Sequence, residues 1–162
     1  MDSRQVIRET LAMADLVAGA YLKDLTDEQL HERPHANCNT IYWQLGHLIL
    51  SEHNHMCRID ASAMPALPEQ FAVLFSKENG SQNLTADLVS FSKQQLLEQF
   101  KNQRQATLKL LDQQSDEMLD IPSGVPYAPT RAALFHLQGS HWLMHAGQWV
   151  IVRRNLEKPV AI

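Results

Sequence analysis

Apolar residues recur at helical spacing in four separate stretches of the chain. These stretches are Val6–Leu25, Thr40–Ile59, Leu88–Leu111 and Thr130–Arg154. In each stretch apolar side chains return every three or four residues, which is the period of an amphipathic helix. No stretch alternates convincingly between apolar and polar residues, so the pattern predicts no strand. The chain is therefore predicted to be all-α.

Residues that favour helix N-caps stand at the start of these stretches. Ser, Thr, Asp and Asn side chains accept a hydrogen bond from a backbone N–H of the first turn. Between the first and second helices, Thr26 and Gln29 have the spacing of a capping box, which predicts a short helical turn. We expect Asp2 or Ser3 to cap the first helix and Thr85, with Asp87 in the first turn, to cap the third. The second helix should start near Asn39 or Thr40, and the fourth near Thr130.

Two connections separate the later helices. Residues 60–83 are polar and broken by Pro and Gly, and we expect them to form a long connection outside the core. Residues 120–129 contain three prolines and one glycine, which predicts a loop. Four helices with one crossover of about twenty residues predict a four-helix bundle in a single domain, residues 1–162. A long crossover between helices 2 and 3 permits neighbouring helices to run parallel.

Composition narrows the classes of function. The 162 residues are 44% hydrophobic and 20% charged, with a net charge of −4 and a pI near 6.0, so the chain lacks the basic surface that nucleic acid requires. Apolar runs are too short for a membrane span, and no secretory signal is evident. Two scattered cysteines without CxxC spacing fit a reducing compartment, so we expect a cytoplasmic protein.

Histidine is the one unusual component of the composition, with 8 residues. His141 and His145 are four residues apart, about 40° from each other on one helix face, which is the geometry that presents two imidazoles to one ion. Gln148 lies on the same face one turn later. His136 is about 140° away from His141 and cannot easily join the pair.

The second helix offers His47, His53 and His55. His47 shares a mostly apolar face with Trp43 and Leu50, so we expect it to project into the core. The other two histidines lie about 120° and 80° away and are interpreted as solvated. His53 and Cys57 are also four residues apart, but a zinc site would need two further ligands that the sequence does not place.

Two interpretations of His47, His141 and His145 stay open at this point. Each could be an ordinary core or helix histidine. Together, one inward imidazole and an inward pair would form a set of three nitrogen ligands that suits Zn, Ni, Cu or Fe. Three protein ligands leave a coordination position open, as in catalytic metal sites.

Four segments of the chain carry a family likeness: Leu25–Leu30, Arg33-Pro34, Asn39–Leu48 (with Trp-x-x-Gly-His) and Ser140–Gln148 (with HxxxHxGQ). In their order and spacing they resemble the DinB/YfiT-like superfamily over the whole length of the chain. This likeness implies an up-down-down-up four-helix bundle, expected to be a homodimer, with a divalent ion, typically zinc or nickel, on His47, His141 and His145. Many members carry a further histidine where this chain has Leu137.

The resemblance also suggests a class of chemistry. Characterised relatives include S-transferases and isomerases that use low-molecular-weight thiols, so we expect a metal-dependent transferase that joins such a thiol cosubstrate to a small electrophile. Gln148, Ser51 and Asn54 are candidates to orient the bound molecules, from helix phase alone. A non-catalytic metal- or ligand-binding stress-response module and a metal-dependent hydrolase are the alternatives.

Overall fold

The computed structural model describes residues 2–79, 91–160 and 162. These residues are mostly helical, as the sequence predicts, and they also include one two-stranded hairpin. The α-helices are α1 (Ser3–Leu22), α2 (Ile41–Asp60), α3 (Phe71–Phe75), α4 (Lys93–Asp112), α5 (Asp116–Leu119) and α6 (Arg131–Asn155). The strands are β1 (Pro122–Val125) and β2 (Ala128–Thr130), and single 3-10 turns cover Glu28–His31, Ala61–Ala63 and Lys77–Asn79.

Three of the long helices begin where the capping residues predict. The side chains of Asp2, Thr40 and Thr130 each accept a hydrogen bond from the backbone N–H three residues later. The predicted capping box is also present, because Thr26 and Gln29 exchange side chain to backbone bonds of 3.1 and 3.3 Å. Local side-chain chemistry therefore determines these starting points.

The start of α4 differs from the prediction. The expected cap Thr85, with Asp87 and Leu88, lies outside the described residues. Helix α4 begins at Lys93, where Ser92 and Gln95 form a reciprocal capping box. The prediction that Phe91 lies within the helix is wrong, and its backbone N–H donates instead to the Tyr42 hydroxyl at 3.0 Å.

The connection after α2 is not excluded from the core, contrary to the prediction. Helix α3 lies within it, and Phe71, Leu74 and Phe75 are fully buried among the aromatic and aliphatic side chains of α2. Gly46 of α2 makes this packing possible, since a Cβ atom there would lie 2.2 Å from the Phe75 ring. A five-residue helix is too short to show helical periodicity, so its burial could not be predicted from the pattern.

The predicted loop at residues 120–129 is a β-hairpin. Strands β1 and β2 pair antiparallel, with Val125 opposite Ala128. Gly124 adopts φ 74°, a left-handed conformation that glycine accepts without steric cost. Because three prolines interrupt the hairpin, it shows no alternating pattern. The hairpin leads directly into α6 and carries Tyr127 at its turn.

The long helices pack against one another in pairs. Helix α1 contacts α6 and α4, and α2 contacts α4, α6 and α3. The tryptophans of α6, Trp142 and Trp149, are buried in the core. No helix in the described ranges combines the length and apolar character that a membrane crossing requires.

A group of buried charges joins α1, α2 and α4. Arg104 lies 3.1 Å from the Asp15 carboxylate and 3.2 Å from that of Glu52, and Thr107 donates to the other Glu52 oxygen at 2.7 Å. We call these four residues the charged cluster. Desolvation raises the pKa of Asp15 to about 6, with Glu52 adding to the effect and Arg104 opposing it.

Candidate metal centre

The three predicted histidines come together between α2 and α6. The potential ligand nitrogens of His47, His141 and His145 all lie within 4.8 Å of one another. Their ring centroids are 5.3 Å (47–141), 5.9 Å (47–145) and 4.9 Å (141–145) apart. One ion placed among them can therefore contact all three nitrogens, and we call this group the histidine triad. The structure thus brings together the three histidines that the family resemblance implies as ligands, and their binding of a metal stays a prediction.

Burial keeps these imidazoles neutral. His47 is buried, while His141 and His145 are half-buried. Desolvation, with smaller effects from the other two histidines, lowers the pKa of His141 to about 3. Desolvation and His47 lower the pKa of His145 to about 4, and desolvation likewise lowers the pKa of His47. Neutral imidazole is the form that binds a metal. At neutral pH the three imidazoles are therefore already in the protonation state that a metal ion requires.

Gln44 fixes the orientation of His145. Its Oε1 accepts hydrogen bonds from His145 Nδ1 and from Trp149 Nε1, each at 2.9 Å. Its Nε2 donates to the Asn39 carbonyl at 2.9 Å, which holds the amide in this orientation. Because the Nδ1 of His145 carries the proton, the lone pair lies on Nε2, free for a metal. Sequence reasoning missed Gln44, whose only sequence signal is a polar residue one turn before His47 on a core helix.

Two neighbours fix His47 in the same way. Its Nδ1 lies 3.4 Å from the Phe75 carbonyl, which can only accept, so Nε2 is again the free ligand atom. The Trp43 indole stacks on the imidazole, with centroids 4.6 Å apart and planes 8° from parallel. The short helix α3 therefore contributes directly to the site, which the sequence analysis did not predict.

An open cleft with a volume of ≈ 240 Å³ begins beside His47. Its walls come from α2, from the residues that follow α3, and from the hairpin turn. The cleft meets the histidine triad at His47. Besides His47, the lining residues are Leu50, Ser51, Asn54, His55, Ser76, Lys77, Glu78 and Tyr127.

The three residues predicted to orient bound molecules do not share one location. Ser51 and Asn54 line the cleft beside His47. Gln148 is not among the residues that line the cleft, and its Oε1 accepts from Gln44 Nε2 at 3.2 Å. Their roles toward a ligand stay predictions.

The remaining histidines divide in a way that helix phase predicts only in part. His136 is exposed and lies outside the triad, as predicted. His53 contacts Cys57 at 3.5 Å and Gln103 at 3.1 Å, and the part of the chain that the structure describes adds no third metal ligand to this pair. The interpretation of His55 as a solvated residue is wrong, because it is half-buried and lines the cleft.

The arrangement defines a class of helical protein with three inward histidines from two long helices that are positioned to hold one metal ion. A family model described as the DinB superfamily matches residues 16–149, a range that includes all three histidines. The chain therefore belongs to the DinB superfamily.

A solved structure supports the same fold. A conserved protein from Enterococcus faecalis is similar with a TM-score of 0.65 and 19% sequence identity, over 95% of this chain and 96% of that chain. At this identity the likeness concerns the fold alone. A comparison with curated proteins gives no match.

Proposed function

We propose that the protein is a metal-dependent transferase that joins a low-molecular-weight thiol to a small electrophile. The observation that carries this proposal is the histidine triad, which leaves coordination positions open, together with the cleft that begins at His47. A divalent ion in such a site lowers the pKa of a bound thiol or water and so supplies a nucleophile at neutral pH. Zinc and nickel both suit three imidazoles, and we propose one of them as the natural metal.

The reaction needs little from the protein beyond positioning. The new bond joins the thiol sulfur to the electrophilic carbon, the leaving group departs with the bonding electron pair, and the thiol proton passes to solvent. Gln44 and the Phe75 carbonyl hold two ligands in their metal-binding tautomer. Ser51 and Asn54, at the cleft wall, are proposed to orient the reactants by hydrogen bonds.

Metal content is the first test. Protein purified without a histidine tag should contain about one zinc or nickel per chain, and His141→Ala should lose it. His136→Ala is the matched control, because this exposed histidine lies on the same helix outside the triad. A metal-free wild type that cannot be loaded with either ion would contradict the site.

Turnover is the second test. Metal-loaded protein is incubated with glutathione, bacillithiol or mycothiol and a chromogenic electrophile. We expect one thiol to support a rate well above that of His145→Ala. Equal rates for both proteins with all three thiols would contradict the transferase. If a thiol nevertheless changes the absorption spectrum of the cobalt-substituted protein, the outcome favours a binding module without turnover.

We also propose that the four long helices form an up-down-down-up bundle. Thr10 approaches Gly139 and Tyr21 contacts Arg153, which supports a parallel pair of α1 and α6. Tyr42 contacts Phe91 and Glu52 contacts Arg104, which supports a parallel pair of α2 and α4. The homodimer and the cytoplasmic location stay predictions.

A further inference from the structure

A chain of hydrogen bonds leads from the core to the hydroxyl group of Tyr127 in the cleft. Buried Gln138 donates through Nε2 to the Leu134 carbonyl at 2.6 Å, which fixes the orientation of its amide. The same Nε2 lies 3.3 Å from His55 Nδ1. An amide nitrogen only donates, so Nδ1 of a neutral His55 must accept, and its proton lies on Nε2.

This tautomer determines what the phenol can do. His55 Nε2 lies 3.3 Å from the Tyr127 oxygen and donates to it. The Tyr127 O–H is then free to donate to another acceptor. Tyr127 is 67% exposed and lines the cleft, so that acceptor can be part of a bound molecule. The imidazole thus turns Tyr127 into an oriented hydrogen-bond donor.

A positive charge faces the same space. Lys77, in the turn after α3, lines the cleft with Tyr127. Glu78 is the one acidic residue among the lining residues, and hydrogen bonds from its own backbone and the Ser76 side chain, with the charge of Lys77, lower its pKa. Glu78 therefore keeps its negative charge in the cleft wall, and the Lys77 ammonium is the group beside it that can bind an anion.

We propose that the cleft contains a carboxylate subsite, in which the Tyr127 O–H and the Lys77 ammonium bind a carboxylate carried by one of the two reactants. This inference rests on the proposed function, because it places the carboxylate beside the metal centre where the reaction would occur. Its substrate class is a small thiol or electrophile that carries a carboxylate a few bonds from the reacting atom.

The test compares acids with their primary amides on cobalt-substituted protein. The probes are mercaptoacetate, 3-mercaptopropionate and 4-mercaptobutyrate, each paired with its amide, and binding is measured by calorimetry and by the sulfur-to-cobalt absorption band. A second set uses the sulfur-free acids acetate, propionate and butyrate with their amides. The thiol set tests a carboxylate carried by the thiol, and the sulfur-free set tests recognition of the carboxylate by itself.

For the probe whose carbon chain has the fitting length, we expect the wild type to bind the acid about tenfold more tightly than the amide, since charge-assisted hydrogen bonds have this strength. The ratio of the acid affinity to the amide affinity is the quantity that the variants should change. Tyr127→Phe and Lys77→Gln should each bring the ratio toward one. Lys101→Gln, an exposed lysine of α4 outside the cleft, is the control and should keep the wild-type ratio. The cobalt spectrum without probe should be the same in all variants, which shows that the site is folded.

Two results would overturn the subsite. One is an acid-to-amide affinity ratio near one in the wild type for probes of every length, and the other is a ratio that neither Tyr127→Phe nor Lys77→Gln changes. A preference that survives in one variant removes that residue from the subsite. The proposed function fails separately, if no thiol produces the sulfur band. A sulfur-to-cobalt band together with an acid-to-amide affinity ratio near one would overturn the carboxylate subsite and leave the proposed function standing.

Discussion

Glu52 and His47 lie on the same helix, α2, and each belongs to a buried polar group of a different kind. Glu52 enters the charged cluster, where Arg104 lies between two carboxylates. His47 enters the histidine triad, where burial keeps three imidazoles uncharged. In the charged cluster opposite charges compensate one another, whereas in the triad no charge is present until a ligand arrives.

This difference separates stability from function. Charges in the interior need partners within the protein, so the side chains of the charged cluster are directed at one another. Neutral imidazoles cost less to bury and need only one hydrogen bond each to fix the tautomer. Their second nitrogens stay available for an ion. Changes in the charged cluster should therefore alter folding, and changes around the triad should alter metal binding.

The largest effect is expected for Arg104→Met. This change leaves the carboxylates of Asp15 and Glu52 without their cation, and the loss of one partner of a buried ion pair costs about 3–5 kcal/mol in the free energy of unfolding. Urea denaturation of the metal-free protein measures it. The fraction that remains folded should still bind metal with wild-type stoichiometry. A loss below about 1 kcal/mol would show that the pair behaves as a solvated one.

Gly46→Ala should have the next largest effect on the free energy of unfolding. The added Cβ would lie 2.2 Å from the Phe75 ring, so α3 must shift, and such overpacking costs about 1–3 kcal/mol in the free energy of unfolding. Because the Phe75 carbonyl also holds His47, metal affinity should fall as well. Denaturation measures the free energy of unfolding, and competition with a metal chelator measures the metal affinity.

Gly147→Ala is the matched control for Gly46→Ala. A methyl group added at residue 147 would meet no atom within 4 Å beyond its chain neighbours and the backbone of its own helix, and alanine is favoured over glycine inside a helix by about 0.5–1 kcal/mol. The free energy of unfolding should therefore rise slightly and metal affinity should not change. A large loss at residue 147 would instead indicate that another chain packs there.

Gln44→Met should weaken metal binding more than it weakens the fold. Methionine conserves volume but removes the acceptor that holds His145 and Trp149. Loss of such a supporting hydrogen bond typically lowers metal affinity about 10–100-fold. Gln148→Ala, which removes a contact to Gln44 alone, should have a smaller effect on the same chelator titration. Equal affinity in Gln44→Met and the wild type would contradict the role of Gln44.

In the metal-free protein, the histidine triad and the charged cluster should change the free energy of unfolding in opposite directions as the pH falls. The pKa values of His141 and His145 are lowered from 6.5 to about 3 and 4, so as the pH falls below 6.5 the unfolded chain binds protons that the folded chain does not. Stability contributed by the histidines is therefore lost on acidification. The pKa of Asp15 is raised from 3.8 to about 6, so the folded chain binds that proton first and gains stability as the pH falls through this window.

The free energy of unfolding, measured at pH 7 and at pH 4.5, tests the direction of both contributions. His141→Gln should reduce the loss of stability on acidification by about 2–3 kcal/mol. Asp15→Asn should increase that loss, because it removes the opposing contribution. If both variants change the pH dependence in the same direction, one of the two pKa shifts has the wrong sign.

Helix starts and helix faces were predictable because they depend on neighbours in sequence. Thr40 and Thr130 cap helices through bonds to residues three positions away, and His141 and His145 share a face by their spacing alone. Helix α3 and the hairpin were not predictable from periodicity, since the helix spans little more than one turn and the hairpin is interrupted by prolines.

The partners of the histidines depend on contacts between distant parts of the chain. Gln44 and His145 are 101 residues apart in sequence, and His47 and Phe75 are 28 apart. On an ideal helix His55 points away from His47, which is why helix phase alone predicts a solvated residue. It nevertheless lines the cleft, because Tyr127 at the hairpin turn meets it from another element.

The origin of the cleft walls has an evolutionary consequence. The histidine triad lies on the two long helices α2 and α6, whereas Lys77, Glu78 and Tyr127 lie on two short connections. Connections accept substitution and changes of length more readily than packed helices do. Under the proposed function, a descendant of this chain could acquire a new substrate by exchanging two surface segments while it inherits the three histidines intact, and the chemistry and the choice of reactant could diverge independently.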